Sequence, residues 1–272
     1  MRKPLYAVIL TLCIFFCGCG KSEPITPAQP LTAAVVWNDV RMTVTSIRSI
    51  YREGENGVTS DNPYDITAEV SYIGDAENVK LTYDNPSIHV DRLENGEYRA
   101  AADFRCTYDG REFACTLELP FYYLEEDAAL PEGEINAQFV SADYTFTLTS
   151  PQRTINDASL DRAAPFDLTA KLTYVGAQDA MNVTHADPLI GITVEPPDSG
   201  IDSLGDFFYN MVSIEDRLER NVPVMTTQTG SYLNHALDAF PIGNYIAAGH
   251  TWFDDADGNR ISIDISLPLV VE

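Results

Sequence analysis

Cys106 and Cys115 flank an Asp109-Gly110 turn, and both point the same way across it: Phe104, Cys106 and Tyr108 share one side of a strand, and Phe113, Cys115, Leu117 and Leu119 share one side of the next. If the loop is Asp109 to Glu112, the two cysteines are cross-strand partners. In an oxidising compartment the expected chemistry is then a disulfide, worth roughly 2–4 kcal/mol. The alternative is a pair of reduced, buried thiols acting as small apolar groups. The four histidines, His89, His185, His235 and His250, make no His-x-x-x-His pair and have no neighbouring cysteine, so no metal site is expected. Asp254-Asp255-Ala256-Asp257-Gly258-Asn259 is rich in calcium-type oxygen ligands. It lacks the alternating positions and the distal Glu of an EF-hand, and a hairpin turn explains the same residues.

No phosphate loop, dinucleotide fingerprint, nucleophile elbow or Ser-x-x-Lys arrangement is present. The 41 carboxylates read as a charged, solvated face from which no acid/base pair stands out. The expectation is therefore a protein without catalytic activity or cofactor. The best candidates for a ligand surface are aromatic: Phe207, Phe208, Tyr209, Tyr232 and Phe240 could give large contact area at low entropic cost. For any one of them, the more ordinary reading is a place in the core of an added hairpin.

The 272 residues carry 17 basic against 41 acidic side chains, a net charge of −24 that would repel a phosphate backbone, so nucleic acid is a poor partner. The N-terminus has Arg2 and Lys3 ahead of an apolar run from Leu5 to Phe16, then small residues. That is the layout of a secretory signal, too short to span a bilayer. Phe16-Cys17-Gly18-Cys19 resembles the lipobox of bacterial lipoproteins. The resemblance implies cleavage after Gly18, diacylglycerol on the Cys19 sulfur, and a lipid-anchored protein on the extracytoplasmic face of the cell membrane. Two acyl chains suffice for stable anchoring. Residues 19–32 carry Pro24, Pro27 and Pro30 without periodicity and read as an extended tether.

The rest of the chain is a repeat. Residues 62–74, NPYDITAEVSYIG, align without a gap to residues 164–176, APFDLTAKLTYVG, with six of thirteen positions identical. The same offset of 102 carries Met42 and Val44 onto Tyr144 and Phe146, and Pro86 onto Pro188. Within both copies apolar residues alternate with polar ones, as in half-buried strands. Pro86 and Pro188 should lie at an edge or a bend. Each copy then reaches a Gly-x-Tyr step, Gly96-Glu97-Tyr98 or Gly243-Asn244-Tyr245, followed by a long strand, an Asp-Gly turn and a last apolar strand. The pattern predicts an all-β protein of two tandem antiparallel Greek-key β-sandwiches. It resembles the immunoglobulin-like or fibronectin type III-like modules of secreted bacterial proteins.

The expected organisation is a signal at 1–18, a lipidated cysteine and tether at 19–32, a first sandwich at 33–122, an acidic linker at 123–134 and a second sandwich at 135–272. The second copy holds an insertion at 195–240, expected to be an extra hairpin, with a helix from Ser203 to Arg220 as the competing reading. The function that fits is a binding, adhesion or spacer module facing an extracellular protein or glycan. The alternatives are an inhibitor of secreted hydrolases or proteases, or an assembly subunit of a cell-envelope complex.

Overall fold

The computed structural model describes residues 30–55, 64–77, 79–93, 96–155, 167–195, 210–229 and 243–271. Cys19 and the aromatic candidates Phe207, Phe208, Tyr209, Tyr232 and Phe240 lie outside the described residues. The first half forms β1 (Leu31–Trp37), β2 (Val40–Ser46), β3 (Ile50–Arg52), β4 (Ile66–Tyr72), β5 (Leu81–Tyr83), β6 (Ser87–Arg92), β7 (Glu97–Tyr108) and β8 (Arg111–Leu124). The second half forms β9 (Ile135–Ser141), β10 (Tyr144–Ser150), β11 (Thr154–Ile155), β12 (Asp167–Tyr174), β13 (Ala180–Glu195), β14 (Asn210–Glu219), β15 (Val224–Thr229), β16 (Gly243–Asp255) and β17 (Arg260–Val271).

These strands make two sheets, and each sheet draws on both copies. One runs β14-β13-β16-β17-β1-β2-β4, with β11 also on β17. The other runs β15-β12-β10-β9-β8-β7-β5, with β3 on β8 and β6 on β7. Among the described residues the strands pair antiparallel, except for the short β3–β8 and β11–β17 ladders and the isolated parallel Tyr174–Arg220 bridge. The copies join where Ala34 to Trp37 pair with Asp264 to Ile261, and where Cys115 to Glu118 pair with Ser141 to Gln138. The sheets face each other through β1 and β2 against β8 in the first copy, and through β9 and β10 against β17 in the second. One hydrophobic cluster runs through both halves, from Leu31, Met42, Leu117 and Phe121 to Phe139, Leu148, Ile263 and Leu269.

The expected frame of separate sandwiches on a linker is modified accordingly. The copies lie side by side in shared sheets and share one core. The boundary placed after residue 122 falls inside β8, which continues to Leu124. The acidic connection that follows is held down: Arg52 Nη1 donates to the carbonyls of Glu126 (3.2 Å) and Ala128 (2.8 Å), and Arg153 donates to those of Glu132 (3.1 Å) and Glu134 (2.9 Å).

The repeat is aligned by its register. Tyr72 pairs with Val40 and Tyr174 with Tyr144, so Val40, Met42 and Val44 correspond to Tyr144, Phe146 and Leu148. The offset in β2 is therefore 104 and not the expected 102, because the connection from β3 to β4 is two residues longer than that from β11 to β12. A two-residue difference preserves strand parity, so the same faces stay buried. Pro86 falls in the break between β5 and β6, and Pro188 in the β13 bulge between His185 and Ile190.

The described part of the insertion is strand, but not a hairpin. β14 adds to β13 on one sheet and β15 adds to β12 on the other. The insertion thus extends both layers, and the helix reading fails for residues 210–219.

Candidate functional site

Four turns gather at one pole: Asn38-Asp39, Asp109-Gly110, Ala142-Asp143 and the loop between Asp255 and Arg260. Asp109 and Gly110 have φ of 49° and 79°, the signature of a two-residue type I′ hairpin matched to strand twist. The repeat builds the same corner twice. Ile73 N donates to the Asp39 carbonyl and Val175 N to the Asp143 carbonyl, at 2.9 and 2.7 Å. The Tyr72 hydroxyl accepts from Ala76 N and the Tyr174 hydroxyl from Gln178 N, both at 3.3 Å. Gly74 and Gly176 leave room for this, since a Cβ there would run into the tyrosine hydroxyl and the neighbouring aspartate. Two of the identities that define the repeat, the tyrosine and the glycine, are therefore explained by one corner.

The two corners are completed differently. In the first, the Tyr108 hydroxyl donates to Asp39 Oδ2 at 3.2 Å, and its ring meets Trp37 edge-on at 6.4 Å. Leu81 pairs with Tyr108 as Val183 pairs with Asp255, so Asp255 takes the place of Tyr108 in the second copy. Its carboxylate is used within its own hairpin, accepting from Asp257 N (3.0 Å), Asn259 N (2.8 Å) and Asn259 Nδ2 (3.0 Å). This is the hairpin-turn role expected for the acidic loop.

Where the first corner is filled by a ring, the second opens into a cleft of about 360 Å³. Trp37 and Arg111 to Ala114 wall it from the first copy, and Ser141 to Tyr144, Asp255, Asp257, Asn259 and Ile261 from the second. Arg111 Nη1 spans the copies, donating to the Asp257 carbonyl at 3.3 Å and to Asn259 Oδ1 at 3.1 Å. Trp37 and Phe113 stack at 5.0 Å and 11° to form an apolar wall. Tyr144 packs its ring on Tyr174 (5.6 Å) and Phe253 (5.0 Å) and is only 2% exposed, and its buried hydroxyl has no hydrogen-bond partner among the described residues. Loss of surrounding water raises the Asp143 pKa, and the charges of Asp255 and Asp257 raise it further. Burial and then the charges of Asp255 and Asp143 likewise raise that of Tyr144.

Cys106 and Cys115 do share the inward face, and both are free thiols. The two-residue turn sets Cys106 opposite Phe113 and Cys115 opposite Phe104, so the thiols sit diagonally and not as the direct pair expected from a longer loop. Burial pushes the Cys106 pKa up to about 11, and burial followed by the nearby Cys106 pushes that of Cys115 further up. Both stay protonated at neutral pH and are poor nucleophiles. Among the described residues, no group of three or more His, Cys, Asp or Glu could hold a metal ion.

Two histidines form networks that the sequence did not announce. His250 on β16 is 3% exposed and links neighbouring strands: Nδ1 lies 2.8 Å from Asp264 Oδ1 on β17, and Nε2 lies 2.9 Å from Thr193 Oγ1 on β13. His185 contacts Asp216 Oδ2 at 3.0 Å across β13 and β14. The cleft residues Trp37, Asp143 and Tyr144 were also missed, since each is an ordinary strand-end or turn residue until the corners are superposed. The available signal was the recurrence of Asp39 as Asp143 at an offset of 104. Comparison with known protein families, curated proteins and solved structures finds no match to the chain.

Proposed function

We propose that the chain is a bacterial lipoprotein, anchored through diacylglycerol on Cys19 at the extracytoplasmic face of the cell membrane. It acts there as a non-catalytic binding, adhesion or spacer module built from two immunoglobulin-like Greek-key repeats. The observation that carries this reading is the opposition of chain entry and cleft. β1 starts at Leu31, opposite the end of β2 at Ser46, and finishes at Trp37 on the cleft wall. Seven residues of strand separate the two poles by roughly 20 Å. A membrane at the tether end leaves the cleft facing away from it. The acidic charge supports solubility and leaves attachment to the lipid. The test is fractionation of cells expressing the Cys19→Ala chain: the protein should leave the membrane fraction, and unchanged association would overturn the anchor.

One observation favours a second reading. The order carboxylate, imidazole, hydroxyl in Asp264, His250 and Thr193 is that of a hydroxyl-activating triad, which would make the module a hydrolase with Thr193 as nucleophile. Labelling by a fluorophosphonate probe that is lost in Thr193→Ala would support it. Absence of labelling eliminates it.

A further inference from the structure

We infer that the cleft binds the cationic head of a basic peptide side chain, a lysine ammonium or an arginine guanidinium, with Asp143, Asp257 and the Tyr144 hydroxyl as acceptors. The inference rests on the cleft being the recognition surface of the module, and it names the ligand class.

The first support is the buried, unpartnered Tyr144 hydroxyl. Such a group carries a desolvation cost in the free protein that a ligand can relieve. Its oxygen can accept from an N–H donor, which an ammonium or guanidinium supplies in number. The second is charge. Among the described residues, Glu112, Asp143, Asp255 and Asp257 line the cleft against one guanidinium, Arg111, which is already committed to the β16–β17 hairpin. Burial raises the Asp143 pKa first, and the charges of Asp255 and Asp257 add a repulsion to it. A cation placed between Asp143 and Asp257 removes it, whereas an anion adds to it.

The third support is internal. The first copy has the same aspartate, tyrosine and glycine corner but closes it with Tyr108 donating to Asp39. A donor from within the chain thus occupies there the place that the second copy leaves open. The stacked Trp37 and Phe113 supply the apolar and π surface along which the alkyl stem of lysine or arginine lies while its head is held by oxygen. The volume of about 360 Å³ is at the small end of ligand pockets, fitting one side chain.

The test uses the chain expressed from residue 20, which keeps every described residue, titrated with N-acetyl-lysine amide and N-acetyl-arginine amide and followed by the Trp37 indole resonance. Glucose, acetate and calcium chloride are titrated in parallel. The basic amides should bind, and Tyr144→Phe should weaken them roughly tenfold, the loss expected for a hydrogen bond to a charged group. Asp257→Asn should weaken them by a similar factor. Tyr144→Phe should also raise the melting temperature of the free protein, which loss of a merely structural hydroxyl bond would not do. Binding of the amides unchanged in both variants overturns the proposal. So does a Trp37 response to glucose or calcium that equals the response to the amides. A lost Cys19 anchor leaves these measurements unaffected, so failure of the membrane reading and failure of this one are told apart.

Discussion

Tyr108 donates its hydroxyl to Asp39 at 3.2 Å, and the residue at the matching strand position of the second copy is Asp255, whose carboxylate turns back into its own hairpin. Two exchanges, Tyr108 for Asp255 and Val40 for Tyr144, accompany the difference between a filled corner and an open one. Tyr108→Ala should therefore cost about 2 kcal/mol, through the lost ring contact with Trp37 as well as the lost hydroxyl. Tyr108→Phe keeps the ring and should cost about 1 kcal/mol. Urea denaturation of both variants checks this, and equal costs would show that the ring contributes nothing.

Gly74 and Gly176 test whether the repeated corner is a packing constraint. A methyl group at either position presses into a tyrosine hydroxyl and an aspartate at once. Relief requires the tyrosine to give up its bond to Ala76 N or Gln178 N. Gly176→Ala and Gly74→Ala should each destabilise by roughly 1–3 kcal/mol, as overpacking does. The readout is the shift in thermal midpoint. A neutral result would mean that the corner yields freely.

These corners also mark what was legible in the sequence. Alternation at Leu168, Ala170, Leu172 and Tyr174 placed a strand with one buried face, and those four side chains are at most 1% exposed. Asp-Gly placed the tight hairpin, because two successive positive φ values favour that pair. The sharing of sheets was not legible. Ala34 on Asp264 and Leu117 on Phe139 are strand pairs between copies, and the period of a single strand carries no information about its neighbour. The cleft was hidden for the same reason. Trp37 and Tyr144 lie more than a hundred residues apart and read separately as core aromatics.

The thiols give a prediction with a defined sign. Cys106 has a folded pKa of about 11 against an ordinary value of 9.0, because burial disfavours the thiolate. The unfolded chain then loses its proton first, so stability is full below about pH 9 and falls as pH rises from 9 to 11. Cys106→Ala should flatten that fall between pH 8.5 and 10.5, measured by urea midpoints. Iodoacetamide at pH 8 should label neither Cys106 nor Cys115 until the protein is unfolded. Rapid labelling of the native protein would place a thiol at the surface.

The copies are also joined by a buried charge pair. Arg153, just after β10, reaches Glu97 at the start of β7, and the two side chains are 9% and 10% exposed. Arg153 lies over the Tyr122 ring at 5.9 Å and holds the Glu132 and Glu134 carbonyls as well, so one guanidinium ties both copies and their connection together. Removing either partner strands the other charge away from water, which typically costs about 3–5 kcal/mol. Glu97→Gln and Arg153→Met should each approach that loss. The double variant should recover much of it, since no uncompensated charge remains. Arg153→Met alone should further expose the backbone near Glu132 to proteolysis, because the carbonyl contacts are lost with the guanidinium. Additive losses in the double variant would show that the pair is not coupled.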